Sequence, residues 1–209
     1  MSKQIQRNEE IYIAPGIIGK YENESPVAID KKSGQKFNPT KIDDQIIIYE
    51  KEVKGWFLNP ASKLLSRNSF DNGFIVLMIC MSYFEGVEQY KTGIRSNGRS
   101  GKYFKDSVKR LYPNKFRDIE LGKLYSKSRC GLFHNGMVKG GIVFSAGFSE
   151  SIKFQNNGDR IEVNPKLLLE DIKEDFEKYI NELKSTNNPN DETKRENFNK
   201  IFTVLEDER

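Results

Sequence analysis

The stretch Phe74-Ile75-Val76-Leu77-Met78-Ile79-Cys80-Met81 is apolar on every side of a helix, and it lies inside a longer helical span, Ser69 to Tyr90. A helix of that kind must be covered on several flanks. Its length argues against a buried strand, and its apolar run is far too short to cross a membrane. The rest of the chain therefore has to supply partners for it. Only 36% of the 209 residues are hydrophobic and 31% are charged, so a core forms only where apolar residues are gathered into periodic segments. The length suits one domain of ordinary size.

Helical segments recur from Asp43 onward. Ile46, Ile47, Tyr49, Val53 and Trp56–Phe57 make one apolar stripe. Asn59-Pro60 reads as a cap followed by proline at the first helical position, opening a short helix from Ala61 to Ser66, or continuing the first beyond a kink. Gly93 offers a C-terminal stop to the apolar helix. Residues 94–101 read as a loop, Lys102 to Leu111 as a helix ended by Pro113, and Phe116 to about Val138 as another. Asn164-Pro165 repeats the cap-and-proline signal before a helix with Leu168, Ile172, Phe176, Tyr179, Ile180 and Leu183 on one face. After a polar linker, Phe198, Ile201, Phe202 and Leu205 form an i, i+3, i+4, i+7 set.

Strand signals are fewer. Ile152-Lys153-Phe154-Gln155 and Arg160-Ile161-Glu162-Val163 flank Asn156-Asn157-Gly158-Asp159. A turn at Asn157-Gly158 pairs Phe154 with Ile161, Ile152 with Val163 and Lys153 with Glu162, apolar facing apolar and charge facing opposite charge. Ile142-Val143-Phe144 is a candidate third strand. Ile11-Tyr12-Ile13 and Pro26-Val27-Ala28-Ile29 look like short extended pieces. The expected organisation is an N-terminal appendage over 1–42, irregular or with short strands; a helical domain over 43–184 with the hairpin at 152–163; and a linker with an amphipathic helix over 185–209.

Net charge is only +4, too mild by itself to announce a nucleic-acid binder. A local cluster is more suggestive: Lys91, Arg95, Arg99, Lys102, Lys105, Lys109, Arg110, Lys115 and Arg117, interrupted by Asp106. It fits an RNA-contacting face or a solvated surface. Cys80 and Cys130 sit in apolar surroundings, as buried reduced thiols of a cytosolic protein would. Met1 to Glu10 shows no signal-peptide core. The expectation is a soluble, cytoplasmic protein without membrane contact.

The protein has one histidine, His134, in Arg129-Cys130-Gly131-Leu132-Phe133-His134-Asn135. Histidine exchanges protons near neutral pH, and arginine grips phosphate with a fixed fork of donors. On a helix the two lie about 140° apart around the axis and about 7.5 Å along it, within an arginine's reach. RNA suits such a pair, because its own 2′-OH is the nucleophile: His134 would move protons and Arg129 would stabilise charge on the phosphoryl oxygens. The same residues also fit a packing role, with His134 capping the helix and Arg129 paired to an acid on the apolar helix, Glu85 or Glu88. Glu85 would then satisfy Arg129, or in the functional case orient it. Asn135 could donate to a phosphate oxygen or end the helix with Gly136. Gly98-Arg99-Ser100-Gly101-Lys102 lacks the preceding strand of a phosphate loop. One histidine and two separated cysteines make no metal cluster.

R-x4-H near the end of a helix, in a chain of helical layout, resembles the HEPN (higher eukaryotes and prokaryotes nucleotide-binding) superfamily. The likeness covers the motif and the helical layout from about Asp43 to Lys184. It implies a mostly α fold, an up-and-down helical bundle with the β-hairpin inserted and a small irregular N-terminal segment. It also implies a dimeric, metal-independent ribonuclease of toxin–antitoxin or other defence systems, with Arg129 and His134 at the catalytic positions. RNA contacts would come from Asn135, Arg95, Arg99 and Lys102, with Glu85 supporting. No cofactor or metal is expected. RNA, a second copy of the chain, and an antitoxin or other regulatory protein are the implied partners. Two departures stand out. Cys130 follows the arginine where active members usually carry a polar residue, and the hairpin has no place in the family pattern. Inactive members that only bind partners or nucleotides are the competing implication.

Overall fold

The computed structural model describes residues 4–65, 72–131, 138–186 and 189–205. It opens with a four-stranded antiparallel sheet, β1 (Ile11–Ala14), β2 (Ile17–Glu22), β3 (Ser25–Asp30) and β4 (Lys36–Phe37), whose spatial order follows the chain. Pro15-Gly16 turns the first hairpin, and a bulge falls between Tyr12 and Ala14. Asn23 and Glu24 turn the second, both at positive φ (48° and 65°), the backbone of a type I′ turn. Ile13, Ala14, Ile17 and Ala28 are fully buried and belong to the same apolar cluster as the helices.

α1 (Ile42–Val53) continues through a π-helical stretch, Lys54–Leu58, into α2 (Asn59–Leu65). Asn59 is helical (φ −68°, ψ −44°), so it continues a helix rather than capping a new one. The wider π turn accommodates Pro60, which has no N–H to give. α3 (Gly73–Thr92) is the expected apolar helix, with Val76, Leu77, Cys80, Met81 and Phe84 fully buried. Gly93 ends it at φ +69°, its N–H donating to Gln89 O at 2.9 Å. A Cβ there would meet Asn197 Oδ1 at 2.6 Å, so glycine serves both the turn and the close packing.

α4 (Ser100–Leu111) packs on α3, and α5 (Asp118–Leu124) runs into a second π-helical stretch, Tyr125–Cys130. The later part of the helix expected to reach Val138, residues 132–137, lies outside the described residues. β5 (Ile142–Phe144), β6 (Ile152–Gln155) and β7 (Arg160–Val163) form a mixed sheet in the order β5-β7-β6. The β6–β7 pairs are those expected: Ile152 with Val163, Lys153 with Glu162, Phe154 with Ile161. The turn is wider than two residues, with Asn156, Asn157 and Gly158 all at positive φ. β5 joins β7 in parallel, and Phe154 packs edge-on against Phe116 at 5.0 Å.

α6 (Pro165–Lys184) is capped by Asn164, whose side chain accepts from the backbone N–H of Lys166 and Leu167. α7 (Pro189–Ile201) brings Phe198 onto Tyr49 (5.4 Å) and Tyr90 (5.7 Å), and Phe198 stacks on Phe202 at 5.2 Å. The C-terminal apolar set is thus part of the core. Ile5 N–H donates to Val204 O at 2.6 Å, tying the two ends of the described chain together.

The mostly α bundle with an irregular N-terminus is therefore corrected. The fold is α+β, with helices packed around α3 and two sheets, one antiparallel and one mixed. Two pairings account for the difference: the N-terminal strands meet in a regular meander, and β5 adds to the hairpin. Among the described residues no helix is long and apolar enough to cross a membrane.

Candidate functional site

Arg129 lies in the π-helical stretch Tyr125–Cys130. Such stretches break the regular α ladder and re-aim side chains, and they are common at functional sites. Ser128 turns inward, fully buried, donating to Leu124 O at 2.5 Å beside Met81 Sδ. The next residue reaches α3, where Arg129 Nη2 donates to Glu85 Oε2 at 2.9 Å. The two side chains are 22% and 15% exposed, so the pair is partly desolvated yet reachable from solvent.

Glu85 also meets the α3–α4 connection. Ser96 Oγ donates to Glu85 Oε1 at 3.3 Å, and Ser96 N–H donates to Gln89 Oε1 at 2.9 Å. Arg99 N–H then donates to Ser96 O at 2.8 Å, closing the turn. Arg95 and Arg99 flank this anchored serine and are exposed. Lys102, exposed on the first turn of α4, pairs with Asp106 at 2.7 Å. Gly101 lies against the Tyr125 ring, which packs on Phe104 at 5.3 Å, while the Arg129 guanidinium carbon stands 5.9 Å from the same ring. Burial first, then the Cys130 thiol beside it, pushes the Tyr125 phenol above its usual range.

The expected site residues are therefore partly assembled. Arg129 meets Glu85, and the Arg95–Arg99 turn is fastened to that same carboxylate through Ser96. Glu88, the other candidate partner, instead takes Arg110 Nε at 3.2 Å. His134 and Asn135 lie outside the described residues. Cys80 is buried, whereas Cys130 is half-buried against Tyr125 rather than lost in the core. The basic cluster is divided by carboxylates: Lys109 pairs with Asp118, Lys115 with Glu150 at 3.0 Å, and Arg117 with Glu120 at 2.8 Å. Lys91 and Arg110 turn towards Asp175. Among the described residues no three His, Cys, Asp or Glu side chains converge as metal ligands do.

Two members of the site escaped the sequence reading. Tyr125 counted there as an apolar helix position, although its i, i+4 relation to Arg129 already placed the two on neighbouring turns. Ser96 carried no local signal. Comparison with protein-family models, curated proteins and solved structures finds no match for this chain.

Proposed function

We propose that this protein is an endoribonuclease of the R-x4-H kind that cuts RNA without a metal. Arg129 clamps the scissile phosphate and His134 moves the protons. The ribose 2′-OH attacks the neighbouring phosphorus, the bond to the 5′ oxygen breaks, and the products end in a 2′,3′-cyclic phosphate and a 5′-hydroxyl. The observation that carries this reading is the setting of Arg129. It is oriented by Glu85 in a partly open position, beside a turn that carries Arg95 and Arg99. A guanidinium held in place stabilises charge that develops on phosphoryl oxygens without reorganising first. The exposed Arg95, Arg99 and Lys102 supply contacts to the sugar–phosphate chain. A second copy related by a two-fold axis would complete the site, and Ile94, 52% exposed next to Arg95, is apolar surface such a copy would cover.

The competing reading is a module that binds RNA or a protein without cutting. Cys130 favours it, standing beside Arg129 where the resemblance calls for a polar residue. Incubation of the purified protein with single-stranded RNA in EDTA separates the two. Cleavage with cyclic-phosphate ends, lost in His134→Ala and in Arg129→Ala and not seen on DNA, supports the nuclease. RNA retention without cleavage supports the module, and cleavage at full rate in His134→Ala ends the proposed mechanism.

A further inference from the structure

A cavity of about 580 Å³ opens between the C-terminal ends of α3 and α4 and the polar face of α6. That volume lies in the range of small-molecule sites, about 300–1,000 Å³. Asp171, Asp175, Lys178 and Glu182 recur along α6 at helical spacing and form one wall, Lys91 and Arg110 the other.

The hydrogen-bonding needs of the lining are unequal. Asp175 is buried and accepts from Arg110 Nη1 (2.5 Å) and Nη2 (3.2 Å), Tyr83 Oη (2.7 Å) and Lys91 Nζ (3.3 Å). Arg110 completes its donors on Glu88 and Ser107. Asp171 accepts from the Tyr112 and Ser151 hydroxyls, and Glu182 from Lys194 at 3.1 Å. Asp171, Asp175 and Glu182 are thus occupied, and Glu174, also in the lining, is exposed to solvent. Lys91, Lys178 and Tyr179 keep donors to spare. Lys91 has three N–H groups and, among the described residues, one ion pair, at the long end of hydrogen-bonding distance; its ammonium sits 4.9 Å above the Tyr179 ring. Tyr179 lines the cavity, and its hydroxyl is buried with no hydrogen-bond partner among the described residues. Lys178 is exposed on the same face and makes no ion pair among the described residues.

We propose that this cavity binds a small molecule through an oxyanion group, a carboxylate or a phosphate, held by Lys91 and Lys178 above Tyr179. Buried donors without acceptors favour a ligand that brings acceptor oxygens. The lining carries four cations against four carboxylates, a balance that disfavours a polyanion such as an RNA backbone. Burial and the Arg110 guanidinium both push the Lys91 amine below its usual range, outweighing Asp175, and a bound anion would relieve that stress. The site is separate from the Arg129 cluster, and its occupancy does not depend on RNA cleavage.

Calorimetric titration of the whole protein with inorganic phosphate, and in parallel with acetate, at fixed ionic strength tests this. Saturable binding is expected for one of the two probes, which also settles whether phosphate or carboxylate is preferred. Lys91→Met should weaken it by about tenfold or more, since a charge-assisted contact is lost. Lys178→Ala, an exposed change that leaves the buried network intact, should weaken it less, and Arg129→Ala should leave it unchanged. Absence of saturable binding by either probe, equal binding in both lysine variants, or loss in Arg129→Ala instead would overturn the proposal.

Discussion

Glu85 and Glu88 stand three residues apart on α3, and each holds an arginine. Beyond that the two clusters differ. Glu85 accepts from Arg129 at 2.9 Å and from the Ser96 hydroxyl at 3.3 Å, next to an exposed turn. Glu88 shares Arg110 with Asp175, which is buried and also takes Tyr83 and Lys91. A buried charge held by several partners fixes helices relative to one another, and removing one partner strands the others. A half-open pair adds little to stability and leaves its arginine within reach of a ligand. One helix thus carries a structural ion network and a candidate chemical site on adjacent turns, and the buried Asp175 with its several partners, not residue type or the exposure of the arginines, separates them.

The largest effect should come from Asp175→Asn, which leaves Arg110 and Lys91 without their buried anion. Urea denaturation should show a loss of about 3–5 kcal/mol. A loss under about 1 kcal/mol, no more than a surface pair contributes, would erase the contrast between the clusters.

The same carboxylate gives a pH test. Burial works to raise Asp175, but the Arg110 hydrogen bond and the charges of Lys91 and Arg110 outweigh it and hold the carboxyl below its usual range. A folded value below the unfolded one stabilises the fold above the ordinary aspartate value of about 4, and that stabilisation fades as pH falls through the lower folded value. The stability gap between wild type and Asp175→Asn should therefore be widest near neutrality and shrink in acid below about pH 4. A gap that is unchanged at pH 3 would contradict this.

Smaller again, Arg129→Ala should cost about 1 kcal/mol or less in the same denaturation, as partly exposed pairs do. The smallest effect belongs to Tyr179→Phe. It deletes a buried hydroxyl with no partner among the described residues, so stability should stay level or rise by up to about 1 kcal/mol. A clear loss would mean that the hydroxyl has an acceptor, which weakens the case for an anion beside it.

The parts of the fold legible from sequence are those where one local rule decides. The register of β6 and β7 follows from alternating apolar and charged residues, the stop at Gly93 from a left-handed glycine, and the start of α6 from Asn164-Pro165. The N-terminal sheet was not legible as a sheet. β4 has two residues, β1 is broken by a bulge, and the second hairpin turns on Asn23-Glu24, where glutamate occupies a positive φ that turn rules reserve for Gly or Asn. Pro15-Gly16 was a readable turn signal, but four short strands become a meander only through pairing, which no local pattern states. The site divides in the same way. Arg129 could be named because it stands five residues before the single histidine, and Glu85, alongside Glu88, because that arginine called for an acid on the apolar helix. Ser96 enters through a loop that folds back on α3, and Tyr125 changes role because the helix turns π-helical there. The division of the basic cluster depended on carboxylates distant in sequence, such as Asp175 and Glu150.

The most direct measurement takes Arg129→Ala and Asp175→Asn side by side, recording RNA cleavage in EDTA and melting temperature for each. Under the proposed mechanism Arg129→Ala should lose about 10²–10⁴ in cleavage rate while its melting temperature stays near wild type. Asp175→Asn should melt much earlier yet still cut RNA below its melting point. Cleavage at wild-type rate in Arg129→Ala, or a melting temperature that falls as far as that of Asp175→Asn, would contradict it.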